Sequence, residues 1–278
     1  MIKQDFDVKP PRFEYIAADS LAAALAAKAE HGAEARFLAG GQSLIPAMNF
    51  RLATPAVLID INPITELDYV REDGALRIGA LTRTRTLERS ALVAERQPLL
   101  AEAVPHVAHP QIRNRGTLGG NLAHADPASE LPAVMLALGA RLRVKSARGE
   151  RAIDAKSFFT GALSTALRED EMLIEIEVPS MPLRTGTCFL EIARRRGDYA
   201  MMGVAAVLTQ NEARLALCNA GDTPVLVTLD RSQFDDAAAH VQARIDPPGN
   251  VHATKDYQRH LAGVLARRAL RIAQERAQ

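Results

Sequence analysis

Cysteine, tryptophan and net charge are what this 278-residue chain has least of. Its two cysteines, Cys188 and Cys218, lie on separate strand-like runs with no C-x-x-C. That excludes a disulfide framework and a four-cysteine zinc or iron–sulfur site within the chain. Both read as buried small hydrophobes. Tryptophan is absent and aromatics make up 4% of residues, which removes stacking platforms for bases. A net charge of +1 argues against electrostatic nucleic-acid binding. No apolar run approaches the roughly 20 residues that span a bilayer, and Met1–Asp7 lacks the apolar core of a signal peptide. The expected location is the cytoplasm, with neither nucleic acid nor membrane as partner. No G-x-G-x-x-G and no phosphate-loop lysine motif occurs. No Ser/His/Asp order stands out, so no catalytic residue is assigned. His106 and His109 have helical metal-ligand spacing, but Pro110 disfavours the α region for His109, and no metal site is expected.

What is present is the balance of a soluble globular protein, 47% hydrophobic and 24% charged, long enough for two domains or one large one. Strands are expected at 13–16, 36–38, 56–61 and 76–80. Helices are expected at 21–30, behind Asp19 or Ser20, and at 44–51, 84–87, 97–107 and 131–138. Residues 141–144 and 150–153 read as a hairpin, and 172–178 as a strand. Residues 179–186 cluster Pro, Ser and Gly as a linker. Beyond it four strands in series (187–193, 203–209, 214–220 and 225–229) precede a helix over 256–273, with Leu261, Val264, Leu265 and Ile272 on one face. Strands in series followed by a helix imply an antiparallel α+β domain.

Two glycine segments carry the chemistry. Ala39-Gly40-Gly41-Gln42-Ser43 lies between a strand and a helix. Successive backbone N–H groups and a helix N-terminus can hold a phosphate there without lysine, and Ser43 adds a hydroxyl. The bland reading of the same residues is a helix-entry turn. The stretch Arg113–Glu130 packs three glycines and two asparagines with little to bury, and reads either as a surface loop before a capped helix or as a ligand loop. Two such loops suggest a ligand with a polyphosphate axis between them. Asp126 or Glu130 would then accept hydrogen bonds from ribose or base, which points to a dinucleotide.

The same two segments, with Ala125-Asp126-Pro127-Ala128-Ser129-Glu130-Leu131-Pro132, resemble the FAD-binding medium subunit of molybdenum hydroxylases, the xanthine dehydrogenase and carbon monoxide dehydrogenase relatives. Ala193–Ala200, with Arg194, Arg195 and Arg196, is similar to the family's arginine-rich segment, and residues 251–270 to its closing helix. The resemblance implies an α+β fold: an FAD domain of the vanillyl-alcohol oxidase (PCMH) type over 1–179, in two α/β subdomains split near 55, then a small α+β domain over 185–278 with an antiparallel sheet and C-terminal helix. It implies that Ala39, Gly40, Gly41, Gln42 and Ser43 cradle the pyrophosphate. Thr117, Gly119, Gly120 and Asn121 would contact phosphate and flavin from the opposite side. Val107 would pack on the cofactor, Asp126 and Glu130 would reach adenosine or its ribose, and Leu173 would touch the flavin through its strand. Some relatives carry a lysine where Leu190 stands here; leucine supplies no charge, and Tyr199 could shield the ring instead.

Such a chain passes electrons from a molybdenum–pterin centre and two [2Fe-2S] clusters through FAD to a terminal acceptor. With two cysteines and 278 residues those centres have no room here. A large molybdopterin-binding subunit and a small [2Fe-2S] subunit are therefore expected, in a dimer of heterotrimers. The rival readings are a stand-alone FAD-dependent oxidoreductase of the same fold and a nucleotide-binding scaffold without redox use. On this reading Gly119→Val blocks the cofactor's approach.

Overall fold

The computed structural model describes Lys9–Ala277; Gln278 and Met1–Val8, which include the stretch read above for a leader, lie outside the described residues. The first layer runs β1 (Glu14–Ala17), α1 (Leu21–His31), β2 (Ala35–Leu38), α2 (Leu44–Asn49) and β3 (Val57–Asp60). Its three strands are parallel with β3 in the middle. Central position explains why Val57, Leu58 and Ile59 form a continuous buried run. Ser20 caps α1 through its Oγ, which accepts the Ala23 N–H. Since β3 is the central strand, this layer continues through Asp60 rather than ending near residue 55.

The second layer begins with β4 (Val70–Asp73) and β5 (Ala75–Gly79), followed by α3 (Thr84–Arg89), α4 (Ala91–Arg96), α5 (Pro98–Ala103), α6 (Pro110–Arg113), α7 (Leu118–His124) and α8 (Glu130–Leu138). It closes with β6 (Arg141–Ser146), β7 (Gly149–Asp154), α9 (Ala155–Phe158), the small hairpin β8 (Phe159–Gly161) and β9 (Ser164–Thr165), and β10 (Met172–Pro179). The five long strands form an antiparallel sheet in the order β4-β5-β10-β6-β7. Two expectations change here. The helix expected over 97–107 stops at Ala103 and tightens into a 3₁₀ turn, Val104–His106, because Pro105 lacks an N–H to continue the ladder. The second glycine segment is not a loop: from Leu118 onward it is α7, capped by Thr117.

The C-terminal part is a four-stranded antiparallel meander, β11 (Gly186–Ala193), β12 (Ala200–Leu208), β13 (Glu212–Cys218) and β14 (Val225–Asp230), with α10 (Ala237–Arg244) and α11 (Lys255–Arg276). Its strands feed two cores. Met202, Val204, Ala206 and Leu208 join Leu261, Leu265 and Ala269 of α11, while Ala205, Val207, Ala216 and Cys218 join the core that contains α8. All nine residues of α8 are buried. A helix apolar on every side is one packed between two layers, here the second sheet and the C-terminal sheet. Val264 leaves the face expected for α11, being 37% exposed; small residues, Ala262, Ala266 and Ala273, complete it instead. Cys188 and Cys218 are free and buried, and burial pushes both thiols up, Cys188 to about 11. Among the described residues no helix is long and apolar enough to cross a membrane.

Candidate functional site

The turn after β2 opens a cleft of about 390 Å³ lined by Tyr15, Leu38, Ala39, Gly40, Gly41, Gln42, Ile45, Pro46, Asp60, Asn62 and Arg115. Within it, the N–H groups of Gly40, Gly41, Gln42 and Ser43 have no hydrogen-bond partner among the described residues. Ser43 precedes α2 without spending its hydroxyl on a cap. Gly41 has φ +73°, the left-handed conformation that lets successive N–H groups converge. Gly40 is glycine for another reason: a Cβ there would lie 2.4 Å from the Arg115 carbonyl oxygen and 2.8 Å from Gly116 Cα. The first glycine turn therefore rests directly on the backbone that leads into the second.

The second segment differs in kind. Thr117 is 2% exposed. Its Oγ1 accepts the Gly120 N–H at 3.0 Å. Leu118 N–H donates to Thr82 O and Gly119 N–H to Ala80 O. The amides that open α7 are thus already paired, and they do not form a second phosphate cradle. Gly119 faces the end of β5, where a Cβ would stand 2.6 Å from Ala80 Cβ and 2.7 Å from its carbonyl oxygen. What this side offers outward is the exposed Gly120, whose Cβ would come 3.8 Å from Ala39 Cβ, and Asn121, whose Oδ1 accepts the Ser129 hydroxyl at 3.0 Å. Thr117 and Gly119 set the position of the helix. A sequence signal for this existed: threonine before Leu118 and Leu122, which are four apart on one face.

Asp126, Glu130 and Tyr199 come together where the C-terminal sheet meets α8. Asp126 accepts the Ala128 N–H at 2.9 Å, and its charge lies close enough to the Tyr199 hydroxyl to add to the upward push that burial gives that phenol. Tyr199, just before β12, leaves 63% of its surface exposed. Glu130 is 4% exposed, and burial, reinforced by nearby Glu191, pushes its carboxyl up to about 7. The Glu191 side chain is itself 6% exposed; Oε1 receives His106 Nδ1 at 2.9 Å. Its Oε2 is buried with no partner. The hydrogen bond to Glu191 holds the imidazole above its ordinary range, and the ring sits edge-on to Phe189. His109 instead lies against Gly197, so the two histidines serve different neighbours. Arg194 and Arg195 are exposed and pair with Asp198, at 3.4 and 3.2 Å. Val107 and Leu173 are buried in the core shared with α8, and Leu190 packs against the C-terminal core. Among the described residues no group of three His, Cys, Asp or Glu side chains is arranged to hold a metal.

The acidic cluster predicts a pH dependence. Unfolded, Glu130 titrates near 4.5; folded, near 7. The native state binds the extra proton in that window, so stability falls as pH rises through it, by about 3 kcal/mol. His106 acts in the same direction, since a histidine with a raised folded pKa loses its stabilising contribution as pH rises through that value. Glu130→Gln is expected to flatten stability against pH between about 5 and 7 in urea titrations; an unchanged slope would show that Glu130 is not the titrating group.

The unpaired amides, beside a surface made of glycine and asparagine, have the donors and the open backbone that a pyrophosphate would need. Residues 11–181 match the family described as the FAD binding domain in molybdopterin dehydrogenase, and residues 187–273 match the CO dehydrogenase flavoprotein C-terminal domain. The chain is 40% identical to the 6-hydroxypseudooxynicotine dehydrogenase complex subunit alpha of Paenarthrobacter nicotinovorans over 97% of each chain. It is 39% identical to the carbon monoxide dehydrogenase medium chain of Hydrogenophaga pseudoflava, covering 95% of this chain and 98% of that one. Carbon monoxide dehydrogenase from Hydrogenophaga pseudoflava lacking the Mo-pyranopterin moiety superimposes with a TM-score of 0.93 at 37% identity, covering 97% and 99% of the two chains. The protein is thus an oxidoreductase flavoprotein. It belongs to the molybdenum hydroxylases, as one of their FAD-binding medium subunits.

Proposed function

We propose that this chain holds FAD as the electron relay of a complex whose large subunit carries a molybdenum–pterin centre and whose small subunit carries two [2Fe-2S] clusters, in a cytoplasmic dimer of heterotrimers. The observation that carries the assignment of the cofactor to this cleft is the run of four unpaired N–H groups from Gly40 to Ser43. These donors fit a pyrophosphate, and the Gly40 contact leaves the turn no room for a side chain. Bound FAD supplies chemistry that exchanges electrons singly or in pairs. The residues of the chain do the rest. Ala39–Ser43 bind the anionic middle of the cofactor, with the Ser43 hydroxyl as a further donor. Gly120 and Asn121 close the opposite side, with Thr117 and Gly119 placing them. The exposed Tyr199 ring covers the flavin, with its hydroxyl near Asp126. Glu130, neutral in part near pH 7, serves adenosine or its ribose as donor as well as acceptor. Val107 and Leu173 support the ring from the core. The chain divides within the connection 180–185.

The test is a visible spectrum of the chain purified alone and with its neighbouring gene products, before and after candidate substrates. The expected result is flavin absorption in both preparations and bleaching only in the complex. Bleaching of the isolated chain by an organic substrate would mean a stand-alone enzyme. A colourless protein in both would end the FAD assignment.

A further inference from the structure

The glycine turn has support that comes from two side chains outside both glycine segments. Asn62, two residues past β3, donates through Nδ2 to the carbonyls of Ala39 at 2.9 Å and Leu38 at 3.3 Å. Its Oδ1 accepts Arg83 Nη2 at 2.6 Å. Arg83 in turn donates through Nη1 to the carbonyl of Arg115. The backbone flanking Arg83 is itself tied to the second segment, through Thr84 N–H to Gly116 O at 2.9 Å and Leu118 N–H to Thr82 O at 3.0 Å. Two side chains therefore connect the carbonyls before the first turn to the carbonyl before the second.

In a trans peptide the C=O and the following N–H point in opposite directions within one plane. Fixing the Leu38 and Ala39 carbonyls on Asn62 therefore fixes the N–H groups of Ala39 and Gly40 on the side away from it. Gln42 does the same one residue on: its Nε2 donates to Gly40 O at 2.9 Å, which orients the Gly41 N–H. Without these bonds the two-glycine turn has many backbone states to lose on binding. With them, most of that ordering is complete before the ligand arrives, and preorganisation of this kind appears as affinity.

We infer that Asn62 and Arg83 are positioning residues of the dinucleotide site, a clip that presets the N–H groups of the 39–43 turn and fixes that turn against the Arg115–Gly116 backbone. The inference rests on the proposal that FAD occupies this cleft. Asn62 acts through the Ala39 carbonyl, Arg83 through Asn62 and the Arg115 carbonyl; neither is asked to touch phosphate.

The test uses the full-length chain. FAD affinity is measured by titrating flavin-free protein, and the NMR order parameters of the backbone amides of residues 40–43 are measured in the same flavin-free protein. Asn62→Ala and Arg83→Ala are each expected to weaken FAD binding by about tenfold or more and to lower the order parameters of the turn. The double variant should be little worse than either single one, since both break one clip. Asn62→Asp keeps an acceptor for Arg83 but cannot donate to Ala39 O, and it sets a second carboxylate against Asp60, which accepts from Asn62 Nδ2 in the native chain; it should bind FAD no better than Asn62→Ala. Arg83→Lys keeps a cationic donor and should fall between wild type and Arg83→Ala; it also keeps the test open if an alanine variant fails to fold. Turn order and FAD affinity equal to wild type in Asn62→Asp and Arg83→Ala would overturn the clip. So would a loss of affinity with no change of order in the turn. A wild-type chain that binds no FAD would instead remove the functional reading beneath it.

Discussion

Replacing Gly119 with valine is expected to destabilise the FAD-binding domain strongly rather than merely empty it. A side chain at this position would point into the protein. Its missing Cβ points at the end of β5, 2.6 Å from Ala80 Cβ, 2.7 Å from Ala80 O and 2.9 Å from Ala80 Cα. Overpacking against movable side chains costs about 1–3 kcal/mol; here the obstacle is backbone, which has no rotamer to escape into. Lifting α7 away would also break the bonds from Gly119 to Ala80 O and from Leu118 to Thr82 O, each worth about 1 kcal/mol net. The sum, on the order of 4 kcal/mol, is a large part of a domain's stability and corresponds to a fall in Tm of roughly 10 °C. Thermal unfolding of the flavin-free variant, followed by circular dichroism, checks this. A wild-type Tm combined with lost flavin would restore the reading in which valine blocks the cofactor.

Gly40→Ala is expected to do the reverse: weaken FAD binding by about a hundredfold while lowering Tm by only a few degrees. The added methyl would sit 2.4 Å from Arg115 O and 2.8 Å from Gly116 Cα. No positive φ is involved at Gly40, so alanine meets no intrinsic backbone penalty there and the contact alone decides. The turn can relieve the clash by lifting off the Arg115–Gly116 backbone, but that moves the four N–H groups that form the cradle. The buried cores contain no part of the turn beyond Ala39, which packs at the edge of one of them. Calorimetric FAD titration beside a thermal melt separates the two outcomes; equal losses of stability in Gly40→Ala and Gly119→Val would sink the distinction.

The contrast between these two glycines shows what the sequence could and could not convey. Most of the long strands and the C-terminal meander were legible because each rests on local periodicity; β4 and the hairpin of β8 and β9 were not, being short runs without an alternating apolar face. The parallel first layer showed itself as strand, turn, helix and buried strand. Glycine, however, says only that a side chain is unwelcome. At Gly40 and Gly119 the excluding atoms belong to Arg115 and Ala80, far along the chain, and no local pattern names them. Helix α7 was read as a loop because two glycines lower helix propensity, while Thr117 and the Leu118–Leu122 pair pointed the other way. Asn62 and Arg83 were missed because their role exists only once β3, the start of α3 and the Arg115 backbone are side by side. Glu130 stands in an acidic stretch of the sequence, but its burial, and so its raised pKa, comes from the C-terminal sheet closing over α8. Val264 failed because the face of α11 uses alanines, which a search for large apolar residues passes over.

Helix α8 has a consequence for how such a chain can change. Its nine buried residues answer to two sheets at once, one from each of the matched families. The connection at 180–185 is a seam in the path of the chain but not in its interior. A C-terminal domain exchanged at that seam would arrive with its own inner face, and α8, already shaped to the old one, would have to change with it. The two modules are therefore a fitted pair: a change of volume on β12 or β13 would call for an answering change on α8, in the other module.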